Sequence, residues 1–188
     1  MKRTAKLTSV AALLAALVLI FCVGCSDGSS AVVAQGKVDN IRWALDDAGK
    51  LSFTGTGALP GVEYSLNMDT GLSDTVRPQW YDYRDQVEEV IVGANIDSVS
   101  MNAFMSFSSM RVLDISATVE SIDGYAVSGC PALEKVIIRG EHTELERFCI
   151  GYVGGVPEDV MSDVTFEGVR GSDTERYASA CGADFDAL

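Results

Sequence analysis

The chain has 188 residues, with 27 acidic against 14 basic side chains, a net charge of −13, and 47 % hydrophobic residues. That length supplies one domain with a real core. So acidic a surface repels nucleic acid and anionic lipid, which argues against nucleic acid as a partner.

Residues 1–24 read as a leader and not as fold. Lys2, Arg3 and Lys6 precede Val10 to Val23, an apolar run of 14 residues interrupted only by Cys22. It falls short of the span of about 20 residues that a membrane helix needs and fits a signal-peptide core. Phe21-Cys22-Val23-Gly24-Cys25 resembles a bacterial lipobox, whose cysteine is lipidated and becomes the new N-terminus; Cys22 stands where leucine is usual. The alternative is an ordinary secretory signal with an incidental cysteine. Cleavage before Cys25 leaves 164 residues, and because the leader carries three basic side chains and no acidic one, the net charge moves to −16. The resemblance implies a membrane anchor at Cys25 and a location outside the cell. Residues 25–36, small and polar, are expected to be a flexible tether.

Residues 37–86 are expected to form an N-terminal β-hairpin and capping module. Apolar residues alternate at Ile41, Trp43 and Leu45 and again at Leu51 and Phe53, with the turn-forming Asp46-Asp47-Ala48-Gly49 between them, which predicts a hairpin. Gly55 to Gly61 is rich in glycine and proline and is expected to be irregular. Residues 62–79 read as a long polar loop. Trp80, Tyr81 and Tyr83 then either cap the first repeat or form an exposed contact for carbohydrate or protein.

From Val87 to Gly155 the sequence repeats three times with a period of 23 residues. The register links Val87, Met110 and Leu133; Val90, Leu113 and Val136; Val92, Ile115 and Ile138; Val99, Ile122 and Leu145; Ala103, Ala126 and Cys149; and Phe104, Val127 and Ile150. A fixed period of this length predicts a solenoid in which each coil buries its apolar edge against the next. Each repeat begins with a short strand whose alternation turns Val90/Val92, Leu113/Ile115 and Val136/Ile138 inward. A second extended piece and a short helical or 3₁₀ turn are expected to follow.

Residues 156–188 are expected to hold a degenerate repeat and a C-terminal cap. The strand candidate Val164-Thr165-Phe166 lies 28 residues past Val136-Ile137-Ile138, which implies about five inserted residues. Ser172 is placed to cap a helix from Asp173 onward, Gly182 to stop it, and Phe185 to lie on a last strand.

Ser121-Ile122-Asp123-Gly124-Tyr125-Ala126-Val127-Ser128-Gly129-Cys130-Pro131-Ala132-Leu133-Glu134-Lys135-Val136-Ile137-Ile138 resembles the coil of the BspA-like leucine-rich repeat family of bacterial surface proteins. Val127 departs from it, standing where that family has phenylalanine. The hairpin around Trp43 and the segment from Gly171 to Phe185 resemble the modules that flank such repeats. The resemblance covers about residues 37–188. It implies a β-rich leucine-rich-repeat-like solenoid at the cell surface, adhesion or binding of proteins, and no catalytic residues.

The chemistry-bearing residues are few. His142, the single histidine, sits in the column of Ile96 and Val119 and is expected to fill a half-exposed slot at a coil edge. Any Ser/His/Asp or Cys/His site would have to use it. Asp69-Thr70-Gly71 matches the aspartic-protease tripeptide but lacks the preceding apolar strand and a second lobe. Cys130, Cys149 and Cys181 match no zinc spacing; Cys130 and Cys149 fall in apolar columns and read as buried small hydrophobes, with a disulfide as the alternative. No Asp-x-Asp-x-Asp-Gly calcium loop and no phosphate-binding glycine loop is present. The chain is therefore expected to be a non-enzymatic, monomeric binding protein without cofactor or metal. The candidate contact face is the outward strand row Glu89, Ile91, Val112, Asp114, Lys135 and Ile137, for an unidentified protein or glycan. A structural envelope spacer and a secreted hydrolase are the alternatives.

Overall fold

The computed structural model describes residues 30–66, 73–152 and 163–188. Cys25, Asp69 and residues 153–162 lie outside the described residues. The described chain is β-rich. One eight-stranded sheet dominates it, a four-stranded and two two-stranded sheets complete it, and it has one α-helix.

The chain enters the large sheet at β1 (Val32–Val38), which pairs antiparallel with β2 (Ile41–Asp46), and β2 pairs antiparallel with β3 (Lys50–Gly55). The expected hairpin is present. Asp46 closes its turn by accepting from the backbone N–H groups of Ala48 and Lys50 at 3.0 and 2.8 Å, and Gly49 takes the left-handed conformation that the turn needs, at φ 77°. Within the tether expected over 25–36, Val32 to Gly36 is corrected to strand, while residues 25–29 lie outside the described residues. Small polar composition hid this, because an edge strand with an exposed outer side needs few apolar residues.

β3 then starts a parallel ladder. It pairs with β7 (Glu89–Val92), which pairs with β9 (Val112–Ile115), then β12 (Lys135–Ile138), β15 (Thr165–Gly168) and β16 (Asp184–Ala187). Val90, Leu113 and Val136 are direct register partners, so the 23-residue period is the return distance from one strand to the next. Leu51 is the partner of Val90. The second hairpin strand is thus the first rung of the ladder and not a separate module.

A second parallel sheet repeats the pattern: β4 (Gly57–Leu59), β8 (Ile96–Val99), β10 (Ser121–Ile122) and β13 (Glu144–Leu145). The Gly55–Gly61 stretch, expected to be irregular, contains β4. Gly55 and Gly57, at φ 129° and 105°, make the corner that lets β3 turn into β4.

On the third side, Met101 to Ser106 is a run of turns, while the next two repeats carry the short strands β11 (Val127–Ser128) and β14 (Ile150–Tyr152), paired in parallel. No helical or 3₁₀ turn occupies this side of the three repeats among the described residues. The turns recur with the period all the same: Asn102, Tyr125 and Phe148, each 23 apart, sit at φ 60°, 61° and 62°.

The 3₁₀ segment Gln79–Gln86 supplies the third side one repeat earlier, with Trp80 Nε1 donating to the Ala103 carbonyl 23 residues on, at 3.4 Å. Trp80 and Tyr81 are buried, so these rings fill the core beside the first repeat and are not an exposed contact. The loop expected over 62–79 contains a hairpin of β5 (Glu63–Leu66) and β6 (Ser73–Val76).

The core lies between the two large sheets and the third side. Inward residues of the long ladder, Leu51, Phe53, Val90, Val92, Leu113, Ile115, Val136, Ile138 and Phe166, are at most 3 % exposed. Each such side chain contributes about 1.5–3 kcal/mol on burial. All residues of the six apolar columns are buried except Leu145, which is half-buried.

At the C-terminal end Val136 pairs with Phe166, 30 residues on, so seven residues are inserted and the expected register was two residues short. The helix α1 (Asp173–Cys181) forms as read: Ser172 Oγ accepts from Glu175 N at 3.3 Å, and Gly182 ends it at φ 72°. Thr174 in its first turn is fully buried, and its hydroxyl has no partner among the described residues. Thr174→Val keeps the shape and removes that orphan group. It should raise stability by up to about 1 kcal/mol, read as a higher urea midpoint.

Candidate functional site

Alternation along a strand sends every second side chain out of the large sheet. Glu89 and Ile91, Val112 and Asp114, and Lys135 and Ile137 are therefore outward, and all six are half-buried. The register sets Glu89, Val112 and Lys135 in one cross-strand row and Ile91, Asp114 and Ile137 in the next. The structure thus brings the six predicted residues onto one surface.

The charged members are engaged within that surface. Glu89 pairs with Lys50 at 3.1 Å and Lys135 with Glu167 at 2.5 Å. Asp114 receives both Nε and Nη2 of Arg139, at 2.8 and 2.6 Å, and this forked contact holds the guanidinium above its ordinary pKa. The hydrogen bond from Lys135 to Glu167 likewise raises the ammonium's pKa. The uncharged members alternate with the charged ones: Ile91 and Ile137 lie in one row on either side of Asp114, and Val112 lies in the other between Glu89 and Lys135. A contact surface combines apolar area with satisfied polar groups, and this face carries both, interleaved.

Lys50, Glu167 and Arg139, which neutralise the row, escaped the sequence reading. Lys50 and Glu167 lie on strands that the 23-residue register does not reach, and Arg139 follows the last residue of β12. One charge pair was legible: Arg111 and Glu134 are 23 apart, hence neighbours in one column, and they form a forked pair at 3.0 and 3.1 Å.

The other candidates lie elsewhere. His142 is not in a slot: its side chain is 82 % exposed, with Glu141 at 3.9 Å and Asp173 at 4.0 Å as its nearest acidic groups. The C-terminal helix carries Asp173 past this coil edge and leaves the ring in solvent. Among the described residues no group of three or more His, Cys, Asp or Glu could hold a metal ion, and no helix is long and apolar enough to cross a membrane.

Cys130, Cys149 and Cys181 are free thiols, the first two buried. Burial pushes the Cys130 and Cys149 thiols up to about 12. Iodoacetamide at pH 8 should modify Cys181 in the native protein and reach Cys130 and Cys149 only in denaturant, read by peptide mass spectrometry. Because the folded values are raised, the unfolded chain ionises first. The associated stability is complete below the ordinary thiol range near 9 and is lost as pH rises toward 12.

Geometry thus defines a β-rich protein with a repeated parallel ladder and one patterned outer face. No family model matches the chain, and no curated protein matches it. Among solved structures it is similar to a leucine-rich repeat protein from Eubacterium ventriosum, at 17 % identity and a TM-score of 0.38, over 71 % of this chain and 43 % of that one. The chain spans less than half the length of that protein.

Proposed function

We propose that the chain is a leucine-rich-repeat-like solenoid of the bacterial cell surface, anchored by lipid at Cys25, which binds protein or glycan partners without catalysis. The observation that carries this reading is the outer face of the large sheet. There Ile91, Val112 and Ile137 stay outward while the surrounding charges are matched in place by Lys50–Glu89, Arg139–Asp114 and Lys135–Glu167. A partner docking on such a face removes aliphatic surface from water without stripping an unpaired charge. The parallel ladder supports the solenoid reading, because a row continued from strand to strand makes an extended surface.

Two experiments test the reading. Radiolabelled palmitate should enter the wild-type protein and not the Cys25→Ser variant; equal labelling of both removes the anchor. Photo-crosslinking on intact cells from a reactive side chain at Ile137 should give a discrete adduct identifiable by mass spectrometry. Absence of any adduct would favour the spacer.

A further inference from the structure

Among the described residues of this acidic protein, basic side chains are mostly matched. Besides the pairs on the outer face, Arg84 contacts Asp85, Arg111 contacts Glu134 and Arg176 contacts Asp173, while Arg77 and Arg147 lie over the rings of Tyr81 and Phe148. Lys37 and Arg42 break this pattern together. They are direct cross-strand partners on β1 and β2, both exposed, and neither has a carboxylate partner among the described residues. Like charges directly opposite one another destabilise a β-ladder. A chain with 27 acidic residues has placed two cations face to face and, among the described residues, supplied no acid to either.

These two side chains line a shallow depression of about 480 Å³, together with Gln35, Ser52 and Thr54. A guanidinium and an ammonium beside an amide and two hydroxyls offer donors suited to a carboxylate, the guanidinium in forked geometry. The depression adjoins the aliphatic side chains of the outer face: Ser52 is the register partner of Ile91, and Arg42 is the partner of Thr54 on the same strand as Ser52. With about 4.8 Å between strands and a two-residue offset of about 7 Å along them, Arg42 lies roughly 12 Å across the sheet from Ile91. Trp43, the only aromatic residue at the depression among the described residues, is 4 % exposed and turned inward, its Nε1 donating to Gln79 Oε1 at 3.3 Å. No ring of the described residues is therefore presented there for a sugar to stack on, whereas aliphatic side chains beside a cationic pair suit a peptide.

We propose that the Lys37/Arg42 depression is an anion-binding subsite at the N-terminal end of the outer face, taking a carboxylate of an acidic peptide segment whose apolar side chains lie on Ile91 and Val112. This rests on the outer face being the binding surface. Elsewhere the acidic surplus repels such a segment, so the subsite fixes where it docks and in which direction.

The probe is a fluorescein-labelled peptide of alternating glutamate and valine, titrated with the full chain and followed by anisotropy. Lys37→Glu should weaken binding at least tenfold and also raise the melting temperature, because it sets a carboxylate opposite Arg42 and relieves the like-charge pair. Unchanged affinity, equal binding of an alternating lysine and valine peptide, or no binding to the wild type would overturn the subsite. Binding of polygalacturonate alone, lost in Lys37→Glu, would overturn the peptide and assign an acidic glycan. Ile91→Thr separates the two readings. Loss in Lys37→Glu without loss in Ile91→Thr keeps the anion site and removes the aliphatic face; the reverse keeps the face and removes the anion site.

Discussion

Leu113→Asp is expected to leave little or no folded protein at 25 °C, whereas Asp114→Leu, one position on, is expected to cost about 1–2 kcal/mol. Leu113 is fully buried between its register partners Val90 and Val136. The substitution forfeits about 1.5–3 kcal/mol of apolar burial and buries a carboxyl group between two aliphatic register partners, a further cost of several kcal/mol whether it ionises or stays neutral. Total stabilities of domains are only about 5–15 kcal/mol. Asp114 faces the other way, and its loss breaks a forked contact with an Arg139 side chain that is itself 50 % exposed, so the penalty is that of a partly exposed ion pair. Urea unfolding followed by circular dichroism measures both. Equal effects at the two positions would mean that the strand faces are wrongly assigned.

Phe104→Ala is expected to lower stability by about 3–5 kcal/mol and the melting temperature by roughly 6–20 °C. The ring is fully buried and joins two parts of the core, with Phe53 of β3 at 5.8 Å and Phe107 at 5.6 Å between ring centres. Phe53 meets Trp80 at 4.8 Å, and Phe107 meets Tyr81 at 6.4 Å. Deleting Phe104 therefore opens a cavity in the cluster that ties the first rung to the repeats. Surrounding rings held by edge contacts cannot collapse into it cheaply. Met101→Ala, at a side chain 50 % exposed, serves as the control and should stay within about 0.5 kcal/mol of wild type. A small effect of Phe104→Ala would mean that this side of the core is loosely packed.

The repeats were legible because burial is periodic in them. Val90, Leu113 and Val136 occupy equivalent places, and equivalent places demand similar side chains. The same period reaches Trp80, Ala103, Ala126 and Cys149, but the size jump from tryptophan to alanine concealed the equivalence and suggested a cap. Leu51 and Val90 are equivalent too, yet 39 residues apart; the hairpin of β5 and β6 is inserted between them and breaks any fixed-period reading. The shift of two residues at Phe166 has the same cause, an insertion whose length composition cannot fix. Glycine at Gly55 and Gly57 signalled a break in the ladder, and the structure uses it as a corner between two strands.

The outward row followed from alternation alone. Its neutralisation did not, since a pair such as Asp114 and Arg139 joins residues 25 apart, two more than the period. Lys37 and Arg42 were hidden for another reason: a like-charge pair across a hairpin is visible only when the edge strand is known, and most of that strand, Val32 to Gly36, falls in the segment expected to be tether.

The outer face of the large sheet as the binding surface is tested most directly by Ile91→Thr combined with Ile137→Thr. Threonine keeps the branch at Cβ, and so the strand, while removing aliphatic surface. With the partner captured from Ile137 identified, its affinity for wild type and double variant is compared by titration, alongside melting temperatures. The double variant should bind at least tenfold more weakly at a melting temperature within a few degrees of wild type. Undiminished affinity in a folded double variant would contradict the account.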